Sequence, residues 1–167
     1  MHNKISKILY LSVCFVFFLF ADLYFTNMLV RAIHNGLKVS NSVFALTFVK
    51  NYGAAFNLLQ NAREALIILS VVAIVLLFGY VIKHIKSISM KSIFFISLLS
   101  AGIAGNLHER IVLGFVRDFF EFKFIDFPVF NISDIFINIG VIGLIILILL
   151  KKTRWEFLQE KMTIIQD

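Results

Sequence analysis

Residues 105–134 read GNLHERIVLGFVRDFFEFKFIDFPVFNISD and hold nearly all of the polar side chains that the chain places beside its long apolar segments. Asn106, Glu109 and Arg110 close one of these segments. Asp118 follows, and Asp134 opens the next segment. Charged groups at the end of a hydrophobic span are costly unless they are paired or hydrated. The stretch therefore predicts a functional site at one membrane surface, for which the apolar segments are the scaffold.

The composition predicts an integral membrane protein. Of the 167 residues, 60% are hydrophobic, and the mean hydropathy is +0.92, far above that of a soluble domain. Because there is no linker-like tract and no internal repeat, we expect one domain over residues 1–167. The fold class is then an all-α membrane protein with four transmembrane helices. The predicted spans cover about residues 8–30, 65–82, 92–113 and 134–150.

The distribution of charge predicts the orientation. The whole net charge of +6 lies in the amino terminus, the loop between the second and third spans, and the carboxyl tail. By the positive-inside rule these parts are cytoplasmic, so both termini are cytoplasmic and residues 31–63 and 114–133 are extracytoplasmic. Because the basic residues flank spans and form no continuous patch, we expect no nucleic-acid partner.

Both extracytoplasmic segments have strand-like patterns. A turn signal at Asn35-Gly36 is followed by β-branched and aromatic residues from Val39 to Val49, which predicts a small strand pair or sheet within residues 31–63. Aromatic and charged residues partly alternate over residues 119–127. This alternation predicts an interfacial strand or irregular piece with its phenylalanines in lipid.

The first span contains one acid and the only cysteine of the chain. Asp22 lies on the same helix face as Thr26, so we expect Thr26 to hydrogen-bond an inward-facing Asp22. The alternative is that Asp22 reaches the membrane interface. Cys14 has no disulfide partner within the chain, and we expect it to pack in the core. One cysteine and four scattered histidines predict no metal site. The histidines are His2, His34, His84 and His108.

The third span ends in a polar stripe that should face the bundle, because its members recur at helical spacing. Two small residues near it, Ala101 and Gly105, are explained equally well by close helix packing. The residues of the stripe are Gly102, Asn106, Glu109 and Arg110.

Asp118 and Asp134 come from neighbouring helix ends and are expected to meet. Two close carboxylates cannot both ionise cheaply, so one holds a proton while the other can act as a base toward water. This is the arrangement of an aspartic protease. The alternative is a surface acid and a helix N-cap. The expected supporting groups are amides that orient the carboxylates and an arginine that offsets their charge. They are Asn51, Asn106, Asn131 and Arg110.

Three groups of residues can be compared with known motifs. The first is Asn51, Gly53, Ala54, Ala55 and Phe56; the second is Gly105, Asn106, Arg110, Gly114, Val116, Asp118 and Phe119; the third is Phe130, Asn131 and Asp134. The first group matches the motif Asn-x-Gly-Ala-Ala-Phe. The second matches Gly-Asn-x-x-Asp-Arg followed by Gly, Val and Asp-Phe. The third matches Phe-Asn-x-Ala-Asp. Through these motifs nearly the whole chain resembles the lipoprotein signal peptidases, the type II signal peptidases of bacteria.

The resemblance implies that Asp118 and Asp134 are the catalytic pair. It implies a site lined by Asn51, Asn106, Arg110 and Asn131, and we add Glu109 and Asp22 as supporting residues. This chain departs from the family pattern at three positions. The family has aspartate, alanine and lysine where this sequence has Glu109, Ser133 and Thr26. Since both aspartates are present, we expect a competent enzyme.

The resemblance also implies the reaction and its setting. The expected substrate is a prolipoprotein that carries diacylglycerol on its lipobox cysteine, and the expected cut is just before that cysteine. The enzyme would be a monomer, surrounded by lipid in the bacterial inner membrane, with its active site on the extracytoplasmic face. It would need no metal or organic cofactor.

Two other classes of protein remain open from the residues alone. A small transporter or channel module also places acids at helix ends, although its charges belong nearer the middle of the membrane. A Ser/Lys protease requires a lysine beside a buried partner. The residues available for it are Ser40, Ser42, Lys38 and Lys50.

Overall fold

A computed structural model describes residues 3–53 and 59–166, with side chains as far as Thr153. Its helices are α1 (Lys4–His34), α2 (Arg63–Lys83), α3 (Met90–Leu113) and α4 (Ile132–Gln166), and its strands are β1 (Phe44–Asn51) and β2 (Val116–Phe122). Each helix is long and apolar enough to cross a membrane, α4 over Ile132–Thr153. The predicted fold class, four membrane helices with a small β element, is confirmed.

The helices extend beyond the predicted spans. α1 continues past residues 8–30 at both ends, and α4 continues well past residue 150. Hydropathy detects only the lipid-facing apolar part, whereas backbone hydrogen bonding continues into the polar ends. Cys14, expected in the core, is only partly buried on α1.

α3 is the most buried helix and packs against α1, α2 and α4. Glycines allow it to approach α4 closely. A Cβ atom on Gly102 would meet the backbone of Ser133, and one on Gly140 would meet Leu99. Helices in membranes commonly associate through such small residues, which let their backbones come together.

Lys7 joins the amino terminus to the loop between α2 and α3. Its buried ammonium donates hydrogen bonds of 2.9 Å to the Ile85 carbonyl and 2.7 Å to the Ile88 carbonyl. The amino terminus and this loop therefore lie at the same end of the bundle, as the charge pattern requires. That this end faces the cytoplasm stays a prediction.

The prediction of a strand pair within residues 31–63 is wrong. β1 pairs antiparallel with β2, which belongs to the other segment between the helices. Within residues 31–53 the only other pairing described is an isolated bridge from Ser40 to Ala45. A strand must satisfy its backbone groups with a partner, and the local pattern that marks a strand does not identify that partner.

The second β segment also differs from its prediction, because the strand starts at Val116 rather than at residue 119. Phe119 is completely buried. Phe120 and Phe122 pack against Phe130, so they belong to an aromatic cluster rather than facing lipid individually. Glu121 remains at the surface. The rest of the cluster comprises Phe44, Phe124 and Phe127.

Candidate active site

Asp118 is positioned by the sharp end of α3. Gly114 adopts a left-handed conformation with φ of +85°, and its N–H bonds the Arg110 carbonyl at 3.2 Å. Glycine accepts this conformation without the steric cost that a Cβ atom would bring. The chain then turns directly into β2, where the Asp118 side chain is 1% exposed.

Backbone pairing brings the start of α4 beside Asp118. Phe120 N–H donates to the Phe130 carbonyl at 2.8 Å, and Phe130 N–H donates back to the Phe120 carbonyl at 3.0 Å. Asn131 follows immediately and caps α4. Its side-chain oxygen accepts from Asp134 N–H at 2.9 Å, while Asp134 Oδ2 accepts from Asn131 N–H at 3.1 Å. This reciprocal pair is a capping box, so Asp134 is not itself the N-cap.

Three asparagine side chains connect the two aspartates into one network. Asn131 Nδ2 donates to Asp118 Oδ1 at 2.8 Å and to Asn106 Oδ1 at 3.0 Å. Asn106 Nδ2 donates to Asp134 Oδ1 at 2.9 Å. Asn51 Nδ2 donates to Asp118 Oδ2 at 2.9 Å. All four carboxylate oxygens therefore accept an N–H hydrogen bond, and the predicted asparagines lie together.

The environment of Asp118 favours its protonated form. Burial, and next the negative charge of Asp134, raise the pKa of Asp118 to about 7. The hydrogen bonds from Asn51 and Asn131 oppose this shift of the pKa. The raised pKa lets Asp118 hold a proton at a pH at which an ordinary aspartate is ionised, as a group that donates a proton must.

Arg110 lies near the aspartates but makes no ion pair with either of them among the described residues. Its Nη2 donates to the Gly53 carbonyl at 2.7 Å, and its Nη1 donates to the Asn106 carbonyl at 3.3 Å. Gly53 N–H in turn donates to Asn51 Oδ1 at 2.9 Å. Arg110 thus fixes the end of β1, and both carboxylates act on it only through their electric field.

Glu109 pairs with Arg117, a residue that the sequence reasoning did not single out. Arg117 Nη2 and Nε lie 2.5 and 2.8 Å from Glu109 Oε1, and Arg117 N–H donates to Oε2 at 2.7 Å. The sequence does contain a signal that could have identified Arg117. It is a basic residue directly before Asp118 and close in sequence to Glu109, an acid that needs a compensating positive charge.

The prediction that Thr26 hydrogen-bonds Asp22 is wrong. Ser133 Oγ, rather than Thr26, donates a 2.7 Å hydrogen bond to Asp22 Oδ2. Asp22 is 2% exposed and faces the bundle, so the interfacial alternative is also wrong. A Cβ atom on Gly105 would collide with both Asp22 and Ser133. Close packing therefore explains this glycine.

Other chemistries find little support among the described residues. No group of three or more His, Cys, Asp or Glu side chains there is arranged to hold a metal ion. The Lys50 ammonium lies over the Phe115 ring, 4.9 Å from its centre, and bonds no serine in the described part of the chain. Ala54, Ala55 and Phe56 of the first motif lie outside the described residues.

Comparison with known proteins decides the family. A family model described as signal peptidase (SPase) II matches residues 14–150. The chain belongs to this family. Lipoprotein signal peptidase from Clostridioides difficile is 39% identical to this chain over 118 residues, which cover 71% of this chain and 78% of the relative. The enzyme of that name from Caldicellulosiruptor bescii is 40% identical over 119 residues, covering 71% and 76%.

Solved structures resemble this signal peptidase II in fold. A bacterial membrane enzyme solved by the in meso method at 2.3 Å resolution superposes with a TM-score of 0.73 at 27% identity, over 86% of this chain and 90% of that one. A second such structure, at 1.9 Å resolution, gives 0.63 at 28% identity, over 86% and 92%. The comparisons confirm the predicted family and enzyme class, and they favour neither a transporter nor a channel.

Proposed function

We propose that this signal peptidase II cleaves diacylglyceryl-modified prolipoproteins at the peptide bond just before the lipidated cysteine. The observation that carries the proposal is the network through which Asn131 contacts both Asp118 and Asp134. Two carboxylates held in one buried network supply a base for water and an acid for the scissile peptide, which is what aspartic proteolysis requires.

Asp118 and Asp134 have different roles in this mechanism. Asp118, whose pKa burial and the Asp134 charge raise to about 7, carries the proton that the pair shares. Asp134 lies in the first turn of α4, where the helix dipole attracts negative charge, and it acts as the base. Because the two groups interact, they titrate as a pair.

Hydrolysis then proceeds in two proton-coupled steps. Asp134 removes a proton from water as the water oxygen attacks the scissile carbonyl carbon, and Asp118 donates a hydrogen bond to the carbonyl oxygen that gains charge. When the tetrahedral intermediate collapses, the carbon–nitrogen bond breaks, and the proton that Asp134 took from water passes to the leaving amine. The asparagines hold both carboxylates in place throughout, which avoids reorganisation during the reaction.

The location of the site suits a substrate that is itself embedded in lipid. The signal-peptide segment and the two acyl chains remain in the bilayer, so the scissile bond must be met at the membrane surface. We propose the extracytoplasmic face of the bacterial inner membrane, a monomeric enzyme surrounded by lipid, and chemistry that needs no metal or organic cofactor and involves no nucleic acid.

A cleavage assay tests the proposed reaction. Purified protein in detergent is incubated with a lipobox precursor carrying diacylglycerol on its cysteine, and with the same precursor unlipidated. We expect one cut, just before the cysteine, in the lipidated precursor, and little or none in the other. Equal cleavage of both would refute the lipid requirement, and cleavage of neither would refute the proposed activity.

A further inference from the structure

Glu109 and Arg117 form a nearly buried ion pair next to the proposed catalytic residues. The side chains are only 5% and 16% exposed. Both oxygens of Glu109 are engaged, Oε1 by the guanidinium and Oε2 by the backbone N–H of Arg117. The Glu109 carboxylate thus binds both the side chain and the main chain of Arg117, the residue directly before Asp118.

The pair belongs to a stripe at the end of α3 that anchors three separate segments. Asn106 bonds Asp134 of α4, and Arg110 bonds the Gly53 carbonyl beyond β1. Glu109 is the member that reaches β2, through Arg117. Without it, the described hydrogen bonds from α3 side chains would fix α4 and the end of β1, but not the strand that carries Asp118.

We propose that Glu109 is a positioning residue for Asp118, acting through the backbone and the guanidinium of Arg117. The inference rests on the catalytic role proposed for Asp118. Glu109 does not itself touch the reacting atoms, because Arg117 occupies both of its oxygens. Arg117 also contacts a second helix, because its Nη2 donates to Asn27 Oδ1 of α1 at 3.0 Å.

Glu109 holds Arg117 through three short contacts. Its carboxylate accepts three N–H groups from one residue across the turn at Gly114, at distances of 2.5 to 2.8 Å. An aspartate would withdraw the carboxylate by about one carbon–carbon bond, roughly 1.5 Å. The family pattern has aspartate at this position, so we expect Arg117 to follow the shorter acid, and Glu109→Asp should keep most of the kcat that Glu109→Met loses.

A mutant cycle tests the inference. The variants Glu109→Met, Arg117→Met and the double variant are purified, and kcat, KM and Tm are measured with the diacylated precursor. Displacing a catalytic group by about 1 Å can cost about 100-fold in rate. We expect both single variants to lose about 10- to 100-fold in kcat, with KM changed little. The double variant should lose no more than the worse single variant, because the two residues act as one unit.

Thermal stability separates positioning from a purely structural role. Each single variant leaves a charge without its partner in a nearly buried site, which lowers Tm. The double variant removes both charges and should regain Tm relative to Glu109→Met, while its kcat stays low. If kcat recovers together with Tm, the pair is only structural and the inference is overturned.

Two further outcomes would also contradict the inference. Wild-type kcat in Arg117→Met, with loss only in Glu109→Met, would give Glu109 a direct chemical role. Wild-type protein that cleaves no diacylated precursor would refute the proposed function first. As a matched control, Glu121→Met/Lys123→Met removes the exposed 2.6 Å ion pair at the end of the same strand. It should leave kcat and Tm unchanged, since such surface pairs contribute little.

Discussion

Ser133 and Asp22 join α4 to α1 through a buried hydrogen bond of 2.7 Å, from the serine hydroxyl to Asp22 Oδ2. The other oxygen of Asp22 is buried and has no hydrogen-bond partner among the described residues. Ser133 directly precedes Asp134 in the first turn of α4. The bond therefore holds the turn that carries one of the two proposed catalytic residues.

Ser133→Ala should destabilise the protein, because it removes the only described hydrogen bond to the Asp22 side chain. Leaving a buried polar group without its partner costs about 1 to 3 kcal/mol in the free energy of unfolding. Denaturation in detergent measures the change, with Ser70→Ala as control, since the one hydrogen bond described for the Ser70 side chain is to the Leu66 carbonyl of its own helix. Equal stability of both variants would contradict the assigned role of the bond.

Adding Thr26→Lys to Ser133→Ala should recover part of the lost stability. Position 26 is four residues from Asp22 on the same helix, and Thr26 is buried, so a lysine there can pair with the carboxylate. A double variant that is less stable than Ser133→Ala would show that position 26 has no room for this pair.

Gly105→Ala should impair folding, because the new methyl group would collide with Asp22 and Ser133. Overpacking of this kind typically costs about 1 to 3 kcal/mol. Gly79→Ala is the matched control: Gly79 is also within a helix, but a Cβ atom there meets nothing within 4 Å. Since alanine favours helix over glycine, Gly79→Ala should be neutral or slightly stabilising. Similar Tm values for the two variants would contradict the close packing.

Arg110→Ala should abolish most of the activity. The substitution removes the hydrogen bonds to the Gly53 and Asn106 carbonyls and the positive charge near the aspartates. Each hydrogen bond that involves a charged group contributes about 1.5 to 3 kcal/mol to the free energy of unfolding. Arg31→Ala, at an exposed arginine without a described side-chain hydrogen bond or ion pair, should retain turnover. Wild-type turnover in Arg110→Ala at normal expression would show that neither the hydrogen bonds nor the charge of Arg110 is needed for catalysis.

The stability of the protein should depend on pH through Asp118. In the folded protein, burial and then the charge of Asp134 raise its pKa to about 7, above the ordinary value near 4. Folding thus favours the protonated form, so the stability that Asp118 contributes is present below about pH 4 and is lost as pH rises through about 7. Asp118→Asn should show a smaller fall in Tm from pH 5 to pH 8 than the wild type. An identical pH dependence would contradict the raised pKa.

The sequence predicted the parts of the structure that depend on local pattern. Four spans and the neighbouring aspartates follow from hydropathy and from the polar stretch around residues 105–134. The pairing of β1 with β2 could not be predicted, because it joins segments that two helices separate. The same holds for Ser133 as the partner of Asp22, since the two lie far apart in sequence and meet only after the helices pack.

Within the site, the positions of the asparagines were predicted from the sequence, but most of their contacts were not. Asn106 and Asn131 were expected near the carboxylates, and the helix spacing and the polar stretch sufficed for that. Sequence did not reveal that Asn131 and Asp134 form a reciprocal cap or that Asn131 also reaches Asp118. These contacts depend on the backbone bridge between Phe120 and Phe130, which no local pattern records.

The central claim is that Asp118 and Asp134 perform the chemistry together, and kcat for the diacylated precursor tests it most directly. In Asp118→Asn and Asp134→Asn the side chain keeps its size but cannot exchange the catalytic proton. General acid–base catalysis is worth about 100- to 10,000-fold, so kcat should fall by at least about 100-fold while the protein stays folded. Asp126→Asn, at an exposed acid beyond β2, should cleave normally. Folded Asp134→Asn enzyme that keeps more than about a tenth of the wild-type rate would contradict the claim, because loss of acid–base catalysis should leave about a hundredth of that rate or less.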